Sequence, residues 1–317
     1  MGALAALVLV MSLAVEAAPA GAVVPGPNGR IACGRQGPGV GRGGDRQNIT
    51  GGFVYTMNPD GSNQVVLTPD PDLLSNDPSW SPDGTKIAYS RFPNRTEAMN
   101  FNAEVYVMNA DGSNDTRLTF SPGEDRGTSW SPDGSKIVFH STRTGNFDIF
   151  TMNADGSNQT NITNSPTFDA QPAWSPDGAR IAFNSSRDGN FELYTMDPDG
   201  TDVFRVTNLP GQESGPNWSP RGDQLVYQSQ GGDPAADLDI FRIRANGTGA
   251  VQLTNNTDFD AFAAWSPDGR KIVFSSFRDG DGEVYTMNAR DGSNQTRITT
   301  EPGFDQRCDW GTAPVSP

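Results

Sequence analysis

The pentapeptide Trp-Ser-Pro-Asp-Gly occurs at residues 80–84, 130–134, 174–178 and 265–269, and a worn copy, Trp218-Ser219-Pro220-Arg221-Gly222, stands before the last of them. With Trp310 included, the tryptophans at 80, 130, 174, 218, 265 and 310 recur every 44–50 residues. A fixed period of that length argues against an ordinary single-core domain. It calls for an array in which each unit buries its apolar face against the next.

One unit can be read from Phe168. A short extended segment runs to Trp174, Ser175-Pro176-Asp177-Gly178 turns the chain, and 180–185 is a second strand. Asp188-Gly189-Asn190 turns it again, 191–196 is a third strand, and Pro198-Asp199-Gly200 leads to a fourth at 204–207. Asp-Gly and Asn-Gly pairs between β-branched and aromatic runs mark tight hairpins, because glycine takes positive φ without a Cβ clash. The third turn recurs at Asp60-Gly61, Asp111-Gly112, Asp155-Gly156, Asp199-Gly200, Asn246-Gly247 and Asp291-Gly292. Six four-stranded antiparallel blades follow, so the expected fold is all-β, a six-bladed β-propeller. The two ends complete each other: 305–310 is a first strand with nothing after it, and 30–33 is a second strand with no tryptophan before it. The C-terminal strand is expected to join the N-terminal blade and close the ring, which leaves few exposed edges.

Composition agrees with short strands and many turns: of 317 residues, 34% are hydrophobic, with 36 Gly and 24 Pro. The formal net charge of -15 argues against a nucleic-acid partner, which would call for a basic face. The N-terminus differs from the rest. Residues 3–15 are apolar apart from Ser12, and Ala18-Pro19-Ala20 and Ala20-Gly21-Ala22 offer small-residue cleavage sites. That run is short for a membrane span and fits a secretory signal peptide. The expected division is a signal peptide over 1–22 and a propeller over 23–317. The mature chain is expected to be secreted or periplasmic, monomeric and not inserted in a membrane.

The Trp-Ser-Pro-Asp-Gly repeat, followed by Lys-Ile-Val-Phe, Tyr-Thr-Met-Asn and Asp-Gly-Ser-Asn segments, resembles the six-bladed propeller of TolB-type periplasmic proteins over residues 27–310. TolB proteins carry an α/β domain ahead of the propeller, for which no room is expected here. The resemblance implies a docking platform in the periplasm.

Two cysteines interrupt the pattern. Cys33 replaces the large aromatic of the second strand (Tyr89, Phe139, Phe183, Tyr227, Phe274), and Cys308 stands where Pro78, Thr128, Pro172, Pro216 and Ala263 stand elsewhere. If Asp133-Gly134 centres its hairpin, Thr128 lies opposite Phe139, and by the same register Cys308 faces Cys33. A disulfide latching the ring is expected, worth about 4–5 kcal/mol in the chain-entropy model.

An acid stands five residues before each of five tryptophans: Asp125, Asp169, Glu213, Asp260 and Asp305. First strands line a propeller channel, so these carboxylates are expected to gather at one mouth, where they could bind a cation or a basic peptide. Internal pairing competes with this, since Arg143, Arg187 and Arg278 stand four residues past the second-strand aromatic, within reach of Asp125, Asp169 and Asp260. Glu213 and Asp305 have no arginine at that offset. No catalytic residues are expected: there is no Gly-x-Ser-x-Gly elbow, and one histidine, His140, with two cysteines cannot build a zinc site. His140 is read as an exposed or partly buried strand residue. The Tyr/Met pairs of the third strands read as packing between blades, and Asp-Gly-Ser-Asn as turn chemistry.

Three connections after second strands are enlarged: 34–52, 92–103 and 231–237. All rise on the face of the acidic mouth, where departures from a repeat carry specificity. The function read here is a non-catalytic module binding an envelope or extracellular protein or peptide at the mouth and long loops. The alternatives are a lyase or glycan-active enzyme, or a propeller holding a structural cation in its channel. Otherwise no cofactor is expected.

Overall fold

The computed structural model describes residues 25–37, 51–70, 73–94 and 102–313. The signal peptide expected over 1–22, and the greater part of two long connections (38–50 and 95–101), lie outside the described residues. No helix forms among the described residues, which build 24 strands. In chain order they make six blades. Blade one consists of Asn28–Gln36, Gly52–Met57 and Val65–Val66 with the last strand of the chain, Phe304–Thr312, as its innermost member. The other five first strands are Leu74–Trp80, Asp125–Trp130, Asp169–Trp174, Glu213–Trp218 and Asp260–Trp265, each paired antiparallel with the next strand in sequence. Blades one and two are joined by a single parallel bridge, Gly52 to Leu74.

The pentapeptide builds the turn after each first strand. In blade four Ser175 Oγ donates to Asp177 Oδ1 at 2.6 Å and accepts from Arg180 N at 2.9 Å, while Asp177 Oδ1 also accepts from Ala179 N at 3.0 Å. Gly178 closes the turn at φ 73°, a conformation with no room for most side chains. The proline belongs to the ring rather than the turn: Pro132 of blade three packs on Gly178 of blade four, and Pro176 on Gly222 of blade five. In the worn copy the lost aspartate is supplied two residues later, with Ser219 Oγ donating to Asp223 Oδ1 at 2.9 Å. Arg221-Gly222-Asp223 is thus a repaired turn.

Fourth strands are two residues each, shorter than the sequence suggests. The threonine that ends the Leu-Thr or Val-Thr pair explains the early stop. Its hydroxyl takes the third-strand N–H that a longer strand would have bonded, as at Thr68 to Val54 N (2.8 Å), Thr207 to Leu193 N (2.8 Å) and Thr299 to Val284 N (2.8 Å).

The core lies between blades. Leu193 and Val206 of blade four pack on Trp218, Leu225 and Tyr227 of blade five. The same arrangement carries across the ends of the chain, where Val273 and Val284 of blade six pack on Ile31, Tyr55, Met57 and Trp310 of blade one. The tyrosines and methionines of the third strands sit in these clusters, as expected.

The closing strand pairs with Asn28–Gln36. Cys33 and Cys308 form a disulfide with Cα atoms 4.2 Å apart. The register differs from a plain hairpin. Ala32 pairs with Asp309 and Gly34 with Gln306, so Arg307 and Cys308 together face Cys33 across a bulge. The same irregularity interrupts all six first strands.

Candidate functional site

Because the bulge recurs, it places one residue per blade in a special conformation, always three before the tryptophan. These residues are Asp77 (φ 57°), Gly127 (64°), Gln171 (56°), Gly215 (63°), Phe262 (58°) and Arg307 (57°). Only two are glycine. A left-handed conformation at a non-glycine residue costs about 1–3 kcal/mol and persists where the surroundings over-determine it. The innermost strand of a propeller blade borders the central channel, so four strained residues and two glycines ring it.

Their side chains form a buried polar network. Arg307 Nη1 donates to Asp77 Oδ1 at 2.6 Å and Arg126 Nε to Asp77 Oδ2 at 2.9 Å. Arg126 Nη1 continues to Glu124 Oε1 at 2.7 Å, and the Arg307 guanidinium lies 5.0 Å from the Phe262 ring centroid. Burial alone would push the Asp77 carboxyl up, but the Arg126 and Arg307 guanidiniums outweigh it and hold the carboxyl below its ordinary range. Gln171 Oε1 accepts from Gly215 N at 2.7 Å, and Gln228 Oε1 from Phe262 N at 2.9 Å. His140 belongs to this network and is not exposed: its Nδ1 accepts from Gln171 N at 3.4 Å. Burial and then Arg126 push His140 down to about 3, so the ring is neutral.

Asp125, Asp169, Glu213, Asp260 and Asp305 begin their strands at one end of the ring, yet none has exposed surface. They are enclosed at blade junctions, and the internal pairing expected for Asp125, Asp169 and Asp260 is what the structure shows. The physical reason is that arginines cover them. Arg143 Nη2 bonds Asp125 Oδ2 at 2.7 Å, Arg187 Nη2 bonds Asp169 Oδ1 at 3.1 Å, and Arg278 Nη2 bonds Asp260 Oδ2 at 2.9 Å. Asp305 also has its arginine, from an offset the sequence comparison missed: Arg35, two residues past Cys33, forms two bonds at 2.6 and 2.9 Å. Each guanidinium lies over aromatic rings of its own blade, as Arg143 does over Phe150 at 4.7 Å and Arg278 over Tyr285 at 4.7 Å. Glu213 alone of the five has no arginine partner among the described residues; its Oε1 accepts from Ser229 Oγ at 2.9 Å.

At the same end of the ring, phenylalanines form two chains. Phe147, Phe168 and Phe191 stand 4.6 and 5.2 Å apart across blades three and four, and Phe147 meets the His140 edge at 5.1 Å. Phe259, Phe277 and Phe304 stand 5.7 and 4.8 Å apart across blades six and one, with Phe262 beside Phe259 at 6.3 Å. All but Phe191 are partly exposed. Sequence reasoning passed over them, although Phe168, Phe259 and Phe304 each stand one residue before an acid it did single out. The channel position leaves a weaker mark: three before each tryptophan the repeat carries five different residue types in six copies.

The opposite end of the ring carries the pentapeptide turns. A cavity of about 690 Å³ lies there between blades two and three, bordered by Pro82, Leu118, Trp130 and Pro132.

A family model described as the TolB beta propeller domain matches residues 45–236 and 206–313. Among solved structures, TolB from Acinetobacter baumannii aligns with a TM-score of 0.75 at 22% identity, over 92% of this chain and 68% of that one. A putative TolB from Agrobacterium tumefaciens aligns at 0.66 and 23% identity, over 88% and 91%. A chain of a nidogen/laminin complex aligns at 0.71 with only 10% identity, over 90% and 100%, which speaks for the fold alone.

Proposed function

Since the chain belongs to the TolB beta propeller domain family, we propose that it is an exported, non-catalytic docking module that binds a protein or peptide at the end of the ring bearing the phenylalanines. One observation carries this reading, the asymmetry of the two ends. The turn end repeats one motif almost unchanged, whereas the other gathers departures from it: the partly exposed rings and, among the described residues, the 231–237 connection. Aromatic side chains with charged groups among them are what peptide-binding surfaces use, since they give large contact area at low entropic cost. The buried Cys33–Cys308 disulfide fits an oxidising compartment, secreted or periplasmic. A non-catalytic role fits the acids, which are enclosed and for the most part tied to arginines. The reading needs no cofactor and takes the protein as a monomer.

The test is photocrosslinking in an extract of the source cells, with a photoreactive phenylalanine analogue at Phe168 or Phe259 and, as control, at Ser135 on the turn end. Discrete adducts from 168 and 259 but not from 135 are expected. Adducts only from 135, or none from any position, would remove the docking face. Shortening 38–50 is a second arm, because the ends of that connection already meet, with Gly37 N donating to Gly51 O at 3.3 Å. Arg35 must be kept, since it holds Asp305.

A further inference from the structure

The junction of blades four and five is built differently from its counterparts. Gly231 stands where Arg143, Arg187 and Arg278 stand in other blades. The local backbone is kept: Gly231 N donates to Ser229 Oγ at 2.7 Å, as Arg143 N does to Ser141 Oγ and Arg187 N to Ser185 Oγ, both at 3.2 Å. Only the guanidinium is gone. Two further changes accompany the loss: Glu213 replaces aspartate, and Tyr227 replaces the phenylalanine of blades three, four and six.

The place is not left open, for Glu192, Glu213 and Tyr227 are all 0% exposed. Glu192 Oε1 accepts from Arg205 Nη2 at 2.8 Å and from Leu209 N at 2.9 Å. Its other oxygen, Oε2, and Glu213 Oε2 receive no hydrogen bond from any N–H or hydroxyl among the described residues, and the Tyr227 hydroxyl has no partner there. In blades two and six the corresponding oxygens of Glu104 and Glu283 are taken by the Thr119 and Thr299 hydroxyls at 2.6 Å. Here Glu213 N donates to Phe191 O at 3.0 Å, which brings the two glutamates together at the junction, each with an Oε2 that no donor reaches. Two ionised carboxylates cannot share an enclosed site without a cation between them. With no exposed surface at any of the three side chains, the cation that fits is the smallest.

We propose that one proton, held between Glu192 and Glu213, does the work of the missing arginine and makes this blade junction a proton-binding site. Burial, and then Glu192, push the Glu213 carboxyl up to about 9. Burial, Glu213 and Glu192 push the Tyr227 phenol up as well, so it stays protonated. From blade four, Arg205 opposes the shift, shared at 3.1 Å with Asp188. On the blade-five side Asp239, bonded to Thr254 and Gln252 at 2.9 Å each, has Asp260 of the next junction, and then Asp237, as its charged neighbours rather than Glu213. A proton bound more tightly by the folded state gives stability that is complete below the unfolded glutamate value of 4.5 and is lost as pH rises toward about 9. Across that window one such proton makes the folding constant fall roughly ten-fold per pH unit. Above it the junction beneath the 231–237 connection carries two negative charges and opens.

Glu213→Gln tests this, because its carboxamide donates the same hydrogen bond to Glu192 without titrating. Urea unfolding between about pH 5 and pH 9 should show the wild type losing stability more steeply than the variant, by the roughly ten-fold per unit of one proton. Equal slopes would overturn the proposal. If the variant does not fold, infrared spectroscopy of the wild type at neutral pH decides. A protonated-carboxyl band that disappears as pH is raised past about 9 supports the shared proton, and a spectrum with no such band ends it.

Discussion

Asp77 has no exposed surface, holds a φ of 57° and lies between the guanidiniums of Arg126 and Arg307, which are themselves 6% and 4% exposed. Replacing it with asparagine keeps the size and removes the charge, leaving two buried arginines with one neutral acceptor. Breaking a buried pair in this way costs about 3–5 kcal/mol, because the surviving charge stays desolvated. Asp77→Asn should therefore lower the urea midpoint with little change in slope, and a loss under about 1 kcal/mol would mean that the channel network contributes little to stability. No motif announces Asp77. It is one residue in a strand, and its meaning appears only when six first strands are aligned on their tryptophans. Asp305 shows the same limit from the other side. Its arginine was in the sequence all along, but Arg35 reaches it from two residues past the second-strand position rather than four, and offset along a strand is a poor guide to where a long side chain ends.

The blade itself was far more legible, because turns are local. Trp-Ser-Pro-Asp-Gly carries its own local hydrogen bonds, so its copies located the first hairpins, and the six Asp-Gly or Asn-Gly third turns gave the number of blades. What could not be read was the bulge, which arises from how the innermost strands curve around the channel and shifts Cys308 from directly opposite Cys33 to one of two residues facing it. The turns also make a pH statement. Asp83, Asp133, Asp177 and Asp268 each accept from a serine hydroxyl and from a backbone N–H two residues on, and all four are held below the ordinary aspartate value. The folded state holds these carboxylates ionised more firmly than the unfolded chain does, so their contribution is complete above 3.8 and is lost as pH falls through the folded values. Unfolding at acid pH should accordingly take up protons, and Asp177→Ala, worth about 1 kcal/mol as a lost turn bond, should blunt that dependence by the share of one group. Calorimetry in two buffers of different ionisation heat would measure the uptake, and zero uptake below pH about 4 would contradict the assignment.

At the scale of the whole ring, five blades are continuous in sequence and one is assembled from both ends of the chain. Every junction is packed alike, with aliphatic residues of one blade on the tryptophan and aromatics of the next, so the ring has no weak joint in its apolar core. Its one discontinuity is covalent, since blade one holds its innermost strand by strand pairing and packing without a connecting turn. The Cys33–Cys308 bond spans 275 residues and turns that open seam into a closed circle. Loop-closure entropy grows slowly with length, and removal of such a bond typically costs about 2–5 kcal/mol. The double variant Cys33→Ser, Cys308→Ser should therefore still fold, because β-pairing and packing at the seam remain, but it should melt several degrees lower than the oxidised wild type. The wild type treated with reductant should match the variant. Hydrogen exchange locates the effect: if the seam opens first, amides of Asn28–Gln36 and Phe304–Thr312 lose protection in the variant while those of blades three and four keep theirs. Equal melting with and without reductant, with uniform exchange, would show that strand pairing alone holds the ring shut.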